Sequence, residues 1–294
     1  MQTPVDQLHQ LFHDEWEARL QFDPLFATYT GDHRYNDRLP RTREEDFAAY
    51  RRDLAGFRRQ LEGIERSALP PAEQLNYDIW QRLIDNELRE LELGGHRLTL
   101  SKMWGFHIAF ADCYLTMPFD NAEDYEKYIA RLNAFPVSVQ DQIELMRTAM
   151  QLDFIPPRVT LEGVDEALRA QLVSDAVDSV LYKPFLSFPA TLDEAQRAGL
   201  HVELARQRSN ELQALMIEGE YKYVEMASLR LLKQVEAARL YLEQAEGLSQ
   251  THRQALGQDL NQTILMQALV LKALVNTTPY ESQPMVRHVL LAFH

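Results

Sequence analysis

Apolar side chains recur at three- and four-residue steps in one segment of this chain after another, and glycine is scarce. Glycine accounts for 11 of the 294 residues, about half its usual share, and prolines lie mainly between the periodic segments. The most regular segment carries, on one side of a helix, Phe47, Tyr50, Leu54, Phe57, Leu61 and Ile64. The sequence therefore predicts a mainly α fold, an array of long antiparallel helices, with far more helix than the roughly one third typical of globular proteins.

Capping residues predict where these helices begin. Thr3 stands directly before Pro4, the order preferred at a helix start. Capping boxes, in which the N-cap side chain and a carboxylate three residues later both bind backbone N–H groups, are predicted at Thr42, Asp120 and Thr191. We expect the last of these to start the long helix that leads into the C-terminal part of the chain.

Helix ends and buried faces follow from similar patterns. Gly94 is expected to end the helix that opens after Pro70, and Pro136 to end the helix that opens at Asp120. The inward side of the helix after Pro70 is predicted to carry Leu75, Ile79, Leu83 and Leu91. The aromatic-rich segment 96–119 lacks a sustained helical period and is predicted to be a buried irregular stretch or a short pair of strands.

The composition changes near residue 200. All three tryptophans and 11 of the 13 prolines lie before that point. Beyond it, a heptad seam is formed by Val224, Ser228, Leu231, Val235, Ala238, Leu242 and Ala245. We therefore predict a helical domain at 1–195 and a helical tail at 196–294. Segment 224–275 is so apolar that it should dock on the rest of the chain, on a second copy or on a partner helix.

Charge excludes several kinds of partner. Thirty basic and 44 acidic residues give a net charge of −14, which repels phosphate backbones and anionic lipids. The longest stretch without a charge, 260–271, has 12 residues, fewer than the 18 to 20 or so that a bilayer-crossing helix needs. The chain has one cysteine, Cys113, and no signal-peptide pattern at its N-terminus. These features predict a cytoplasmic protein that binds neither nucleic acid nor membranes.

Segment 31–38, GDHRYNDR, is the most unusual in the chain, since it places polar residues between two apolar helices. Arg34 and Arg38 are planar cations that suit a carboxylate, and His33 can exchange a proton near neutral pH. The candidate substrate-cleft residues are Asp32, His33, Arg34, Tyr35 and Arg38. The alternative is a structural loop, in which the aspartates accept backbone hydrogen bonds and the arginines pair with neighbouring acids.

Sharp catalytic motifs are absent from the sequence. No glycine-rich nucleotide motif, nucleophile elbow or His-Glu-x-x-His zinc motif occurs, so the residues predict no catalytic group and no metal ligand. His9 and His13 stand four residues apart, with Glu17 one turn further on, and we interpret them as part of a solvated polar face. Cys113 is interpreted as a small buried apolar side chain.

Several motifs nevertheless match a known family in order and spacing. They are HDEWEARLQFDPLFATYTGDHRYNDRLP, LNYDIWQRLIDNELREL, MPFDNAEDYEKYIARLNAFP, FIPPRV and LYKPFLSFP. Over about residues 8–189 the chain resembles the N-terminal half of the bacterial family named domain of unknown function 885. From about residue 200 onward no match to the family is evident.

The resemblance implies a mostly helical, zinc-peptidase-like protein that is longer than this chain. The family's metal signature, a His-Glu pair followed by Gly-His, lies in the later half, so the resemblance assigns neither zinc nor a catalytic residue to this chain. It implies a truncated or divergent member that serves as a scaffold or substrate-cleft half and is non-catalytic alone. The alternatives are an active zinc-dependent hydrolase, with scattered or partner-supplied ligands, and a helical interaction module.

Overall fold

The structure is a computed structural model, which describes residues 3–173, 176–245, 248–275, 281 and 283–292. It is 78% helical, far above the roughly one third typical of globular proteins, which confirms the mainly α fold. Within these ranges the β structure is limited to one antiparallel bridge between Leu100 and Gly105. None of the helices described is both long and apolar enough to cross a bilayer.

The α-helices are numbered here in chain order. They are α1 (Pro4–Phe22), α2 (Pro24–Tyr29), α3 (Glu44–Glu62), α4 (Pro71–Leu93), α5 (Phe106–Asp112), α6 (Ala122–Gln151), α7 (Arg158–Leu161), α8 (Val164–Ala170), α9 (Glu194–Ile217), α10 (Val224–Gln244), α11 (Gln250–Leu274) and α12 (Gln283–Ala292). Short 3-10 turns, such as His33–Tyr35 and Gly95–Arg97, join several of them.

The chain forms two compact units. Unit 1 comprises 1–117 and 130–169, and unit 2 comprises 118–129 and 170–294. This division differs from the predicted boundary at 195/196, because the change in composition there does not follow the packing. Residues 118–129 bind later parts of unit 2: the Tyr128 hydroxyl donates to the Leu181 carbonyl at 2.9 Å, and the Thr191 hydroxyl donates to the Asp120 carbonyl at 2.5 Å.

Helices α1, α3 and α4 build the core of unit 1. Their apolar sides bury Leu8, Leu54 and Leu61 completely. A polar contact adds to this packing, because Glu87 on α4 accepts hydrogen bonds from Arg19 on α1 at 2.6 Å and from Tyr50 on α3 at 2.8 Å. The three helices are therefore held by apolar burial and by one shared carboxylate.

The prediction for the buried side of α4 was wrong. The residues buried there are Tyr77, Trp80 and Ile84. Leu75, Ile79 and Leu83, predicted to point inward, are 58%, 51% and 57% exposed, while Leu91 is partly buried against the core. The helix has two apolar sides, and the side with the aromatic residues removes more apolar area from water when it is buried.

The predicted helix starts are correct in one case and displaced in the others. Thr3 caps α1, with its hydroxyl accepting from the Asp6 N–H at 3.2 Å. Thr42 does not cap α3, which begins at Glu44. The Thr42 hydroxyl instead accepts from the Gln142 side chain at 2.9 Å, and the Thr42 N–H donates to Asp141 at 3.4 Å. The Thr42 hydroxyl, which the sequence pattern predicts as a helix cap, therefore makes a tertiary contact with α6 instead.

Two later starts are shifted by one and two residues. The Asn121 side chain, rather than that of Asp120, accepts from the Asp124 N–H at 3.2 Å at the start of α6. Asp193, rather than Thr191, caps α9 through the Gln196 N–H at 2.8 Å. The Thr191 hydroxyl instead donates to the Asp120 carbonyl and so ties the chain before α9 to the start of α6.

The expectation that Pro136 ends a helix was wrong, whereas Gly94 ends α4 as predicted. Gly94 has φ +82°, a conformation that favours glycine. Helix α6 continues through Pro136 to Gln151. An internal proline costs about 3 kcal/mol in lost hydrogen bonding and steric clash. Burial of apolar side chains on both sides of Pro136 offsets this cost, since Ile129 and Leu145 are each 2% exposed.

Segment 96–119 is more ordered than predicted. Helix α5 and a 3-10 turn at Cys113–Thr116 occupy its second half. Phe110 is buried and stacks on Phe135 with ring centroids 3.6 Å apart, whereas Trp104 is 55% exposed. The aromatic residues of this segment therefore divide between core and surface.

The predicted heptad seam of α10 forms the core of unit 2. Its residues are all buried, namely Val224, Ser228, Leu231, Val235, Ala238, Leu242 and Ala245. The apolar core is shared with α9, α11 and α12. The seam is thus covered within unit 2. Outside it, α11 exposes Leu265, Met266 and Leu269, while the Leu274 side chain lies outside the part that is described.

Candidate functional site

The candidate site is the loop that follows α2 in unit 1. Gly31, with φ +89°, turns the chain away from the helix. The Asp32 side chain then caps the turn His33–Tyr35 by accepting from the Arg34 N–H at 3.0 Å. Local side-chain hydrogen bonds of this kind fix a loop without regular secondary structure. We call residues 31–38 the polar loop.

A buried arginine on α6 holds the polar loop from beneath. The Arg131 side chain is completely buried. Its Nη2 donates to the Thr28 hydroxyl and to the Tyr35 carbonyl, both at 2.9 Å, and its Nε donates to the Arg38 carbonyl at 3.2 Å. Burial lowers the pKa of Arg131 from its ordinary value, since desolvation disfavours the charged form.

Asn36 is the second buried anchor of the polar loop. It is fully buried, and its Oδ1 accepts from the Thr28 hydroxyl at 2.7 Å. Its Nδ2 lies 3.2 Å from Nδ1 of His33, so the amide donates and the ring nitrogen accepts. The Thr28 hydroxyl thereby joins Asn36 and Arg131 in one hydrogen-bonded network. Such a network favours a single loop conformation.

The outer surface of the polar loop carries the two predicted arginines around one tyrosine. The guanidinium carbons of Arg34 and Arg38 lie 5.4 Å and 5.3 Å from the centre of the Tyr35 ring, within cation–π range. The side chains of the two arginines remain 54% and 57% exposed. The predicted residues are therefore brought together on one surface.

The two arginines differ in how far acids neutralise them. Arg34 pairs with Asp32 at 2.6 Å and with Glu17 at 2.9 Å, and hydrogen bonds from Arg34 lower the pKa of both carboxyl groups. Among the described residues Arg38 pairs with a single acid, Asp37, at 3.1 Å, and both of these side chains are well exposed. The structural interpretation of the loop thus accounts for Arg34, while Arg38 keeps more capacity to bind an added carboxylate.

Sequence reasoning missed Arg131 as the organiser of this site. The sequence contained a signal for a buried arginine, because Tyr128, Arg131 and Phe135 recur at the spacing of one helix face. A charged residue on an apolar helix face needs a hydrogen-bonding partner when it is buried. The partners could not be predicted, since they are backbone carbonyls about 100 residues earlier.

The remaining candidates from the sequence lie in different surroundings, and Glu17 pairs with Arg34 of the polar loop. His9 lies 3.0 Å from Glu73 on α4. Among the described residues, no three His, Cys, Asp or Glu side chains are grouped so that they could hold a metal ion. Cys113 is buried as predicted, and burial raises the pKa of its thiol to about 11, which keeps it protonated at neutral pH.

Unit 2 contains a buried histidine that sequence reasoning also missed. His201 is 4% exposed, and its Nδ1 lies 3.0 Å from Oε1 of Gln234, whose amide donates to the Tyr182 hydroxyl at 3.2 Å. The Tyr241 ring stacks on the imidazole with centroids 5.2 Å apart. Burial lowers the pKa of His201 below its ordinary value of 6.5.

Acidification should therefore destabilise unit 2 through His201. The unfolded chain takes up the proton more readily than the folded one, so stability falls as the pH decreases below 6.5, by at most about 1.4 kcal/mol per pH unit. Urea unfolding followed by circular dichroism between about pH 7 and pH 5 measures this slope. His201→Gln should flatten it, and replacement of the exposed His252 by Gln should not. Equal slopes in wild type and His201→Gln would show that this histidine is not responsible.

The fold and the polar loop define a mainly α protein with a surface loop fixed by a buried arginine. A family model described as "Bacterial protein of unknown function (DUF885)" matches residues 24–269, and the chain belongs to this family. The match confirms the resemblance and extends it, because it includes much of the tail that we expected to have no family counterpart. Searches of the curated proteins and of the solved structures found no match.

Proposed function

We propose that this chain acts as the substrate-binding helical scaffold of a metallopeptidase-like protein, contributing contacts to substrate rather than the metal centre. One observation carries the proposal. The polar loop is fixed from beneath by Arg131 and Asn36, and it leaves Arg38 exposed and Tyr35 partly exposed. A binding surface that is already ordered loses less conformational entropy when ligand binds.

The chemistry of the loop favours an acidic peptide segment. Arg38 is paired through a single exposed contact with Asp37, so a ligand carboxylate can replace that acid without burying an unpaired charge. The Tyr35 ring beside it supplies a flat apolar surface. Arg34 is held by two carboxylates and serves mainly to fix the ring and the loop.

Binding of a short fluorescein-labelled peptide rich in glutamate, measured by fluorescence anisotropy, tests this proposal. Arg38→Gln should weaken binding by about ten-fold, the scale of one charge-assisted hydrogen bond. Arg147→Gln is the matched control, because Arg147 is also exposed in unit 1 and has no ion pair among the described residues. Equal affinity of Arg38→Gln and wild type would contradict the proposal.

Zinc content separates this proposal from the alternative of an active hydrolase. Elemental analysis and a peptide-cleavage assay on the purified chain should find no stoichiometric zinc and no cleavage above background. One zinc per chain, lost together with activity in His9→Ala or His13→Ala, would establish the hydrolase instead.

A helix-binding module is the second candidate function. The observation that favours it is the exposure of Leu265, Met266 and Leu269 on the outer side of α11, at 59%, 47% and 52%. Exposed apolar patches often mark interaction sites. A molecular mass that rises with concentration in sedimentation equilibrium, and that Leu269→Gln restores to that of the monomer, would support a self-associating module.

A further inference from the structure

Unit 1 contains a second surface feature that the proposed function does not use. A groove of about 490 Å³ runs along one side of α3, beside the end of α4 and the turn that follows. Its lining includes the charged residues Glu44, Arg51, Arg52 and Arg97 and the apolar residues Phe47 and Leu91. We call it the α3 groove. Its volume lies in the range of small-molecule binding sites.

The charges that line the α3 groove do not balance. Arg97 is neutralised, because its Nε and Nη2 donate to the two carboxylate oxygens of Glu44, at 2.6 Å and 2.8 Å. Arg51 and Arg52 are exposed, and neither has an acidic partner within 4 Å among the described residues. Burial lowers the pKa of His96, which keeps its imidazole neutral at neutral pH. Three arginines against one glutamate leave two positive charges, in a chain whose net charge is −14.

The rest of the lining is apolar. Phe47 packs against the His96 ring, with centroids 4.5 Å apart, and Leu91 is partly buried beside the unit 1 core. Ala48 and Ala55 line the groove on the same side of α3 as Arg51 and Arg52, and their small side chains do not fill it. The groove thus combines an apolar surface with two uncompensated guanidinium groups.

We propose that the α3 groove binds a small organic carboxylate with an apolar body, such as an aryl- or alkyl-carboxylic acid. The guanidinium groups of Arg51 and Arg52 donate hydrogen bonds to the carboxylate, and the body packs on Phe47 and Leu91. Arginine suits this ligand because its planar donors match the two carboxylate oxygens. An inorganic anion would leave the apolar surface unused, and a neutral apolar molecule would leave the arginines unused.

Titration with 3-phenylpropionate, followed by isothermal calorimetry and by the NMR signals of the Ala48 and Ala55 methyl groups, tests this site. We expect saturable binding that shifts both methyl signals. The alcohol 3-phenylpropan-1-ol and inorganic phosphate should each bind at least about ten-fold more weakly, since each lacks one half of the recognised chemistry. Equal binding of either compound would overturn the proposal, as would binding that leaves the two methyl signals unmoved.

Variants with matched charge locate the site. The double variant Arg51→Gln/Arg52→Gln should weaken 3-phenylpropionate binding by at least about ten-fold. Arg59→Gln/Arg89→Gln removes the same charge from exposed positions on α3 and α4 outside the groove, and it should change affinity by no more than about two-fold because distant surface charges are screened. Equal losses in the two double variants would show a general charge effect and contradict the site. None of the four substituted residues lies in the polar loop, so the outcome of this experiment is independent of the proposed function.

Discussion

Replacement of Arg131 by methionine should lower the free energy of unfolding of unit 1 by about 3 kcal/mol or more. The fully buried guanidinium satisfies the carbonyls of Tyr35 and Arg38 and the Thr28 hydroxyl. Methionine fills a similar length but donates no hydrogen bond, so these groups would be left without that donor in the protein interior. Buried polar groups that lose their partners carry the full penalty of desolvation.

Tryptophan fluorescence during urea unfolding measures this effect selectively, because Trp16, Trp80 and Trp104 all belong to unit 1. The control is Arg147→Met, which makes the same change at an exposed position on the same helix. The control should stay within about 0.5 kcal/mol of wild type. If Arg131→Met were as stable as the control, the buried network would not be what holds the loop.

Replacement of Leu231 by alanine should lower the stability of unit 2 by about 3 kcal/mol. Leu231 is completely buried in the seam of α10, and truncation to alanine removes buried methyl groups and leaves a cavity. Leu229, two residues earlier on the same helix, is 57% exposed, so Leu229→Ala should change stability by less than about 1 kcal/mol.

Thermal and urea unfolding followed by circular dichroism compare these two variants directly. The pair is informative because the substitution, the helix and the local propensity are nearly the same, and burial is the main difference. Similar destabilisation by the two substitutions would mean that the heptad seam is not the packed face of α10.

Local patterns predicted the helices well, because each pattern depends on residues within a few positions of one another. The Thr3 cap, the end of α4 at Gly94 and the buried seam of α10 are all of this kind. The errors arose where a distant contact decided the outcome. Thr42 does not cap α3, because its hydroxyl accepts a hydrogen bond from Gln142. Helix α6 continues through Pro136 because apolar side chains on both sides of the proline are buried.

The candidate site was predicted in part. Composition alone singled out the polar loop, and the structure places Arg34, Tyr35 and Arg38 on one surface. The loop's support could not be predicted, because Arg131 reaches it from about 100 residues later in the chain. The sequence also could not predict which side of α4 is buried. Both sides are apolar, and which one is buried depends on the helices that pack against α4.

Amide hydrogen exchange at residues 32–38 tests most directly whether the polar loop is a preordered surface held by Arg131. The N–H groups of Asp32, Arg34 and Arg38 donate to the Ala27 carbonyl at 2.9 Å, the Asp32 side chain at 3.0 Å and the Tyr35 carbonyl at 3.2 Å. We predict that these amides exchange slowly in the wild type and in Arg147→Met, and that Arg131→Met abolishes this protection under conditions where α6 stays folded. Exchange in the wild type as fast as in an unstructured peptide would contradict the account.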